Sequence, residues 1–253
     1  MLKTVKVVPI FKNKGSPLHS SNYRPISLLS NIEKIFEKVV HSRMMVYLES
    51  NNLIYHKQFG FRSNYSTNHG LIDITESIRE SIDKNEIMCG IFLDFKKAFD
   101  TVGHEILLKK MEHYGFRGII NQWFKSYLSE RKQYVYINSN NSDLKKIKHG
   151  VPQGSVLGPL LFLLFINDLA NSVIFSKTFI FADDTALIYG HKDPKKIKKC
   201  LNIDLKFLVK WLNSNRISLN VTKTKMLIFK NKRKCMTYDM KIKLNGKKLV
   251  PVS

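Results

Sequence analysis

The sequence predicts an α+β fold with a mostly antiparallel sheet. Three observations carry this. Strand-length apolar runs mix with helical periodicities, without the strict strand–helix–strand alternation of a parallel sheet. Two short runs rich in Ile, Phe and Tyr flank Asp183 and Asp184 within residues 179–189, the pattern of a hairpin. Residues 241–249 hold Asn245-Gly246, the strongest two-residue hairpin signal in the chain.

In chain order, residues 5–11 read as a strand and the Lys-, Ser-, Gly- and Pro-rich residues 12–21 as a loop. Ile32, Ile35, Phe36, Val39 and Val40 mark one face of a helix that Asn31 caps and that runs to about Glu49. Gln58-Phe59-Gly60-Phe61-Arg62 opens a polar loop. Ser66 or Thr67 caps the next helix, with Leu71, Ile74 and Ile78 on one side. Residues 87–95 form a nearly continuous apolar strand, which calls for cover on both faces. Ile106, Leu107, Met111 and Tyr114 give a helix ending at Gly115, and Ile119, Trp123, Phe124 and Tyr127 another. Residues 133–138 and 144–149 read as a hairpin around the polar residues 138–142. A Gly/Pro-rich connector, 150–159, leads into a buried apolar helix over 157–165. Asp193-Pro194 is a helix start, and Leu201, Leu205, Leu208 and Leu212 are that helix's core stripe. Residues 218–229 read as a strand or hairpin, and 230–233 as a solvated basic turn.

Composition narrows the partner. The 253 residues carry 42 Lys and Arg against 20 acids, a net charge of +22. Such an excess points to a polyanion, nucleic acid ahead of a membrane surface. Cys89, Cys200 and Cys235 lie far apart, which argues against a zinc knuckle or disulfide framework and suits a reducing compartment. The eight histidines show no metal-ligand spacing. The N-terminus is too short and charged for a signal peptide, and the longest apolar block falls below the ~20 residues that span a bilayer. An intracellular protein, nuclear or cytoplasmic and without membrane attachment, is the expectation. Lys232-Arg233-Lys234 reads as a basic turn before it reads as a nuclear signal.

Asp183 and Asp184 admit two readings. Asp is common in turns for conformational reasons. Alternatively, two carboxylates crowning a rigid hairpin hold a hard divalent cation such as Mg²⁺. Asp94 also admits two: a cap or a partner for a buried Lys, or a third carboxylate of a two-metal site. An unpaired carboxylate ending a buried strand is costly, and three carboxylates together repel until cations settle them.

Several blocks in order then carry a resemblance: YRPISLL at Tyr23, QFGFR at Gln58 with Ser66-Thr67 beyond it, FLDFKKAFDTV at Phe92, GVPQGSVLGPLLFLLFINDL at Gly150, FADDTAL at Phe181 and LNVTKTKMLIF at Leu219. The chain resembles the reverse transcriptase domain of non-LTR (LINE-type, jockey-like) retrotransposons over nearly its whole length. The resemblance implies a right-hand polymerase fold: fingers over about 1–86, and over about 87–253 a palm sheet with helices on one side and some inserted fingers elements. It implies an RNA-directed DNA polymerase that adds dNTPs to a DNA primer on an RNA template, using two Mg²⁺ ions, with Mn²⁺ as a substitute. Asp94, Asp183 and Asp184 match the catalytic metal-binding aspartates, and the Phe95 carbonyl adds a metal contact. Phe99 matches the aromatic gate that excludes a ribose 2′-hydroxyl. Gln153 and Gly154 match the segment against the incoming nucleotide and template, and Arg62 a triphosphate contact. Lys223 matches the proton donor to pyrophosphate, and Asp100 a structural residue able to cap the following helix. Gly70 and Gly103 stand where Ala and a polar residue are usual. Relative to a full element the chain is expected to be truncated at both ends, without endonuclease or thumb. The alternative is an inactive remnant that only binds nucleic acid. An RNA-copying RNA polymerase fits Phe99 poorly.

Overall fold

The computed structural model describes residues 3–231, 242–244 and 246–249. Along the described chain run β1 (Thr4–Phe11), β2 (Tyr23–Leu28), α1 (Asn31–Ser50), α2 (Thr67–Asp83), β3 (Ile87–Leu93), α3 (His104–His113) and α4 (Ile119–Leu128). Then follow β4 (Lys132–Ile137), β5 (Asn140–Asn141), β6 (Lys145–Lys146), α5 (Leu157–Ile166), β7 (Lys177–Phe181), β8 (Asp184–His191), α6 (Pro194–Ser214), β9 (Lys225–Phe229), β10 (Ile242–Leu244) and β11 (Lys247–Leu249). The chain divides into two compact units. One combines Met1–Leu53 with Phe99–Phe165, the other Ile54–Ala98 with Ile166–Ser253.

In the first unit, a sheet in the order β2-β1-β4-β5 also pairs β6 with β4. Only β1 and β4 run parallel. Sequence reasoning passes over β2 because Pro25 interrupts it. The strand sits at the sheet edge, where a residue without an N–H is tolerated. The expected hairpin after β4 is tighter than residues 138–142. Asn138 and Ser139 take φ of 47° and 66°, the left-handed pair of a two-residue turn.

Helix α1 corrects two expectations. Its cap is Ser30, whose Oγ accepts from the Glu33 N–H at 3.1 Å, one residue before the expected Asn31. The apolar face read from Ile32, Ile35, Phe36 and Val39 is solvent-exposed. The buried side carries Glu33, Glu37, Met44, Met45 and Leu48. A polar network holds it inward. Arg131 meets Glu33 at 2.7 Å, while Glu37 accepts from the Tyr127 hydroxyl and the Val156 N–H, each at 2.6 Å. Burial first, then the adjoining Glu37 charge, pushes the Tyr127 hydroxyl far above its ordinary pKa, so it stays a donor.

In the second unit, β7-β8-β3-β9 form an all-antiparallel sheet with β3 inside. Side chains alternate between its faces. On one face Met88, Phe179, Ala186 and Ile188 meet Phe59 and, from α2, Ile74 and Ile78. Leu71, expected on this apolar side of α2, is mostly exposed. On the other face lies α6, which packs against β8 and β3, with Tyr189 beside Cys200. Helices therefore cover both faces, as the apolar run of β3 requires, and not one side only. Asp193 caps α6 as predicted, accepting from the Lys195 N–H at 2.8 Å, and Leu201, Leu205, Leu208 and Leu212 are buried. Fully buried Asp204 accepts from the N–H groups of Ile174, Phe175 and Ser176 and from the Ser176 hydroxyl, fastening the approach to β7.

The predicted C-terminal hairpin is present as the antiparallel pair β10–β11. Asn245, Cys235 and the basic residues 232–234 lie outside the described residues. Cys89 and Cys200 are free thiols, and burial pushes Cys89 up to about 12, leaving it inert. No described helix is long and apolar enough to cross a membrane.

Candidate active site

The second unit brings the three predicted aspartates to one end of its sheet. Leu93, the last residue of β3, pairs with Thr185 of β8. Asp94 and Asp184 are thus one register step further along the same strand pair. Asp184 shares the face of Ala186 and Phe92 by alternation, and Asp94, the residue after β3, is close enough for its charge to act on Asp184. Phe181 pairs with Asp184, so Ala182 and Asp183 form the two-residue turn. Ala182 holds it with φ at 56°. The end of β3 is clamped from its other side: the Asp94 carbonyl accepts from Asn220 N–H at 2.7 Å, and the Lys96 N–H donates to Ser218 O at 2.8 Å. Phe95 is buried and bridges Leu219.

Electrostatics register the proximity. Asp184 holds its proton above the usual aspartate range, first through desolvation, then through the charges of Asp183 and Asp94. Among the described residues no group of three or more His, Cys, Asp or Glu side chains is placed to hold a metal ion as it stands. The donor type, carboxylates at and beside a partly exposed turn and near enough for Asp183 and Asp94 to act on Asp184, suits a hard divalent cation that keeps other oxygen ligands.

Two further predicted residues lie in this unit. Lys225 pairs with Phe92, which puts Lys223 at the Asp94 end of β3, exposed in the turn leading into β9. The Arg62 guanidinium reaches Tyr55 O at 3.4 Å and Gln58 O at 3.3 Å and lies 4.0 Å over the Tyr65 ring.

Sequence reasoning missed Gln58 and Gly60, which it left in a polar loop. That loop lies along the outer edge of β7, with Ile180 N–H donating to Lys57 O at 2.9 Å and Phe59 N–H to Ile180 O at 2.8 Å. Gly60 abuts the backbone of Phe181 and Ala182. Glycine also fits at Gly70, where a Cβ would press the Phe59 ring at 3.2 Å.

The other unit holds Phe99, Gln153 and Gly154. Phe99 stacks on Phe162, centroids 4.5 Å apart, and its carbonyl accepts from Val151 N–H at 2.9 Å. Asp100 does not cap α3. The cap there is Gly103, without a side-chain bond, and Asp100 accepts from Gln153 Nε2 at 2.7 Å. The Gln153 carbonyl accepts from Ser27 N–H at 2.6 Å. Gly154 has φ of 111°, and a Cβ on it would stand 2.7 Å from Ser27 O. Gly154→Ala is therefore expected to destabilise the chain by about 1–3 kcal/mol, read as a lower urea midpoint.

The fold resembles that of solved telomerases. A telomerase from Candida tropicalis, in complex with the TWJ fragment of telomeric RNA, superposes with a TM-score of 0.61 at 15% identity, over 90% of this chain and 41% of that one. An apo Candida tropicalis telomerase gives a TM-score of 0.64 at 12% identity, over 89% and 44%.

The family follows from the sequence. Residues 11–241 match the family described as reverse transcriptase (RNA-dependent DNA polymerase), and the chain belongs to that family. It is 30% identical to the RNA-directed DNA polymerase from mobile element jockey of Drosophila melanogaster, over 91% of this chain and 26% of that protein. It is 32% identical to a probable RNA-directed DNA polymerase from transposon BS of the same organism, over 83% and 24%. The chain spans about a quarter of the length of these relatives.

Proposed function

We propose that this chain is the RNA-directed DNA polymerase segment of a non-LTR, jockey-like retrotransposon protein. It joins dNTPs to a DNA primer along an RNA template. The observation that carries this reading is the register: Leu93 pairs with Thr185, which brings Asp94 and Asp184, the next residues at that end, into electrostatic reach beside a turn that carries Asp183.

Asp94, Asp183 and Asp184, with the Phe95 carbonyl, are the residues that would hold two Mg²⁺ ions, or Mn²⁺ in their place. When bound, such a pair favours ionisation of the primer 3′-hydroxyl and offsets charge at the α-phosphorus. The 3′-oxygen, its proton released to solvent, bonds to that phosphorus as the bond to pyrophosphate breaks. Lys223 supplies a proton to the leaving pyrophosphate. Arg62 binds the triphosphate, and Gln153 and Gly154 lie against the incoming nucleotide and template, with Asp100 fixing the Gln153 amide. Phe99, which stacks on Phe162, is the aromatic gate of this reading, the ring that would exclude a 2′-hydroxyl. Residues 1–86 serve as fingers and 87–253 as palm with inserted fingers elements. The basic surface holds the nucleic acid mainly through phosphates. The substrates place the protein inside the cell, in nucleus or cytoplasm.

The test is extension of a DNA primer on an RNA template with Mg²⁺ and dNTPs. Salt-sensitive RNA binding without extension would leave only the nucleic-acid-binding remnant. In the same assay Phe99→Val should raise use of ribonucleotides relative to deoxynucleotides by on the order of 10-fold. An unchanged ratio would remove Phe99 from sugar selection.

A further inference from the structure

We infer that Gln58 and Gly60 are positioning residues: the loop they belong to is a backbone brace that fixes where the turn carries Asp183 and Asp184. The inference rests on the proposed role of those aspartates.

Strand β7 is the edge of its sheet, and a bare edge leaves hydrogen-bonding groups unpaired. The loop supplies those partners at one residue. Ile180 donates to Lys57 O and accepts from Phe59 N–H, and Gln58 bridges Ile180 in parallel. Two residues past Ile180 the turn begins, and there the loop comes closest. A Cβ on Gly60 would collide with the nitrogen of Ala182 and stand 3.1 Å from the Phe181 carbonyl carbon and 3.2 Å from the Ala182 Cα. All three are backbone atoms, so no flexible side chain can yield. Gly60 is not among the positive-φ glycines, so glycine serves close approach here and not an unusual backbone angle.

Gln58 holds Gly60 in place. It is fully buried, and its Oε1 accepts from the Gly60 N–H at 3.0 Å. Its Nε2 has no hydrogen-bond partner among the described residues. The fold keeps a polar side chain at a fully buried position with only its oxygen bonded among the described residues. That oxygen is the atom that sets Gly60 against the turn. Because Asp183 directly follows Ala182, displacement at the Gly60 contact passes straight into the carboxylate pair. A reacting geometry tolerates errors of only about half an ångström.

The experiment compares wild type, Gly60→Ala, Gln58→Met, Asp184→Asn and Leu205→Ala. The Leu205 variant removes core contacts from α6 and serves as the destabilised control. Amide hydrogen exchange, Mn²⁺ binding by electron paramagnetic resonance and primer extension are measured on each. Gly60→Ala should speed exchange over residues 180–185 while β3 keeps its protection. It should weaken Mn²⁺ binding and lower kcat by on the order of 100-fold, with RNA affinity unchanged. Gln58→Met should move the same readouts in the same direction by less. The brace is overturned if Gly60→Ala exchanges and binds Mn²⁺ like wild type. It is equally overturned if Leu205→Ala reproduces its effects. Should wild type bind Mn²⁺ no better than Asp184→Asn and extend no primer, the polymerase reading fails, and the exchange data alone still decide the brace.

Discussion

Asp183→Asn or Asp184→Asn should reduce primer extension by on the order of 1000-fold or more, with RNA affinity nearly unchanged. The amide keeps the shape of the turn and removes the charge that attracts cations. Stability should move the other way. The Asp184 carboxyl is held above its ordinary pKa by desolvation, then by Asp183 and Asp94. An acid raised in this way contributes stability at low pH that is lost as pH rises through its folded-state value. At neutral pH without divalent cations, the like charges oppose folding. Asp183→Asn removes one of them. Its melting midpoint in EDTA at pH 7 should therefore equal or exceed that of wild type, and the difference should vanish in acid. A variant that loses activity only by losing its fold would show the reverse.

Arg131→Met should destabilise the chain by about 3–5 kcal/mol, measured by urea unfolding. Arg131 is 3% exposed and Glu33 7%, and they meet at 2.7 Å. The guanidinium also lies 4.9 Å from the Tyr127 ring centroid. Removing it strands the Glu33 carboxylate inside the protein, which costs far more than the pair contributes. The double replacement Glu33→Leu with Arg131→Met should recover most of the loss, because two apolar side chains need no partner. Full additivity of the two single effects would show that the residues act independently.

This network also explains why α1 was legible in extent and not in orientation. Ile32, Ile35, Phe36 and Val39 have the spacing of a core stripe, and they face solvent. Glu33 and Glu37 are drawn inward by Arg131, Tyr127 and Val156, partners about a hundred residues away that no local period can reveal. The start of α6 and its leucine stripe were legible because cap and core periodicity are local signals. The aspartates stood out through the order of their motifs. Their juxtaposition is a matter of register between β3 and β8, a tertiary fact. Gly60 was invisible for the same reason: a close approach between backbones leaves no trace in composition. Asp100 was read from its position before α3, whereas its partner Gln153 comes from a distant turn.

Anomalous scattering from Mn²⁺ in crystals of the chain with primer, RNA template and a dNTP tests the central claim most directly. The account predicts two Mn²⁺ sites at about 2.0–2.3 Å from carboxylate oxygens of Asp94, Asp183 and Asp184 together. Manganese bound elsewhere, or on the turn aspartates with Asp94 unengaged, would contradict it.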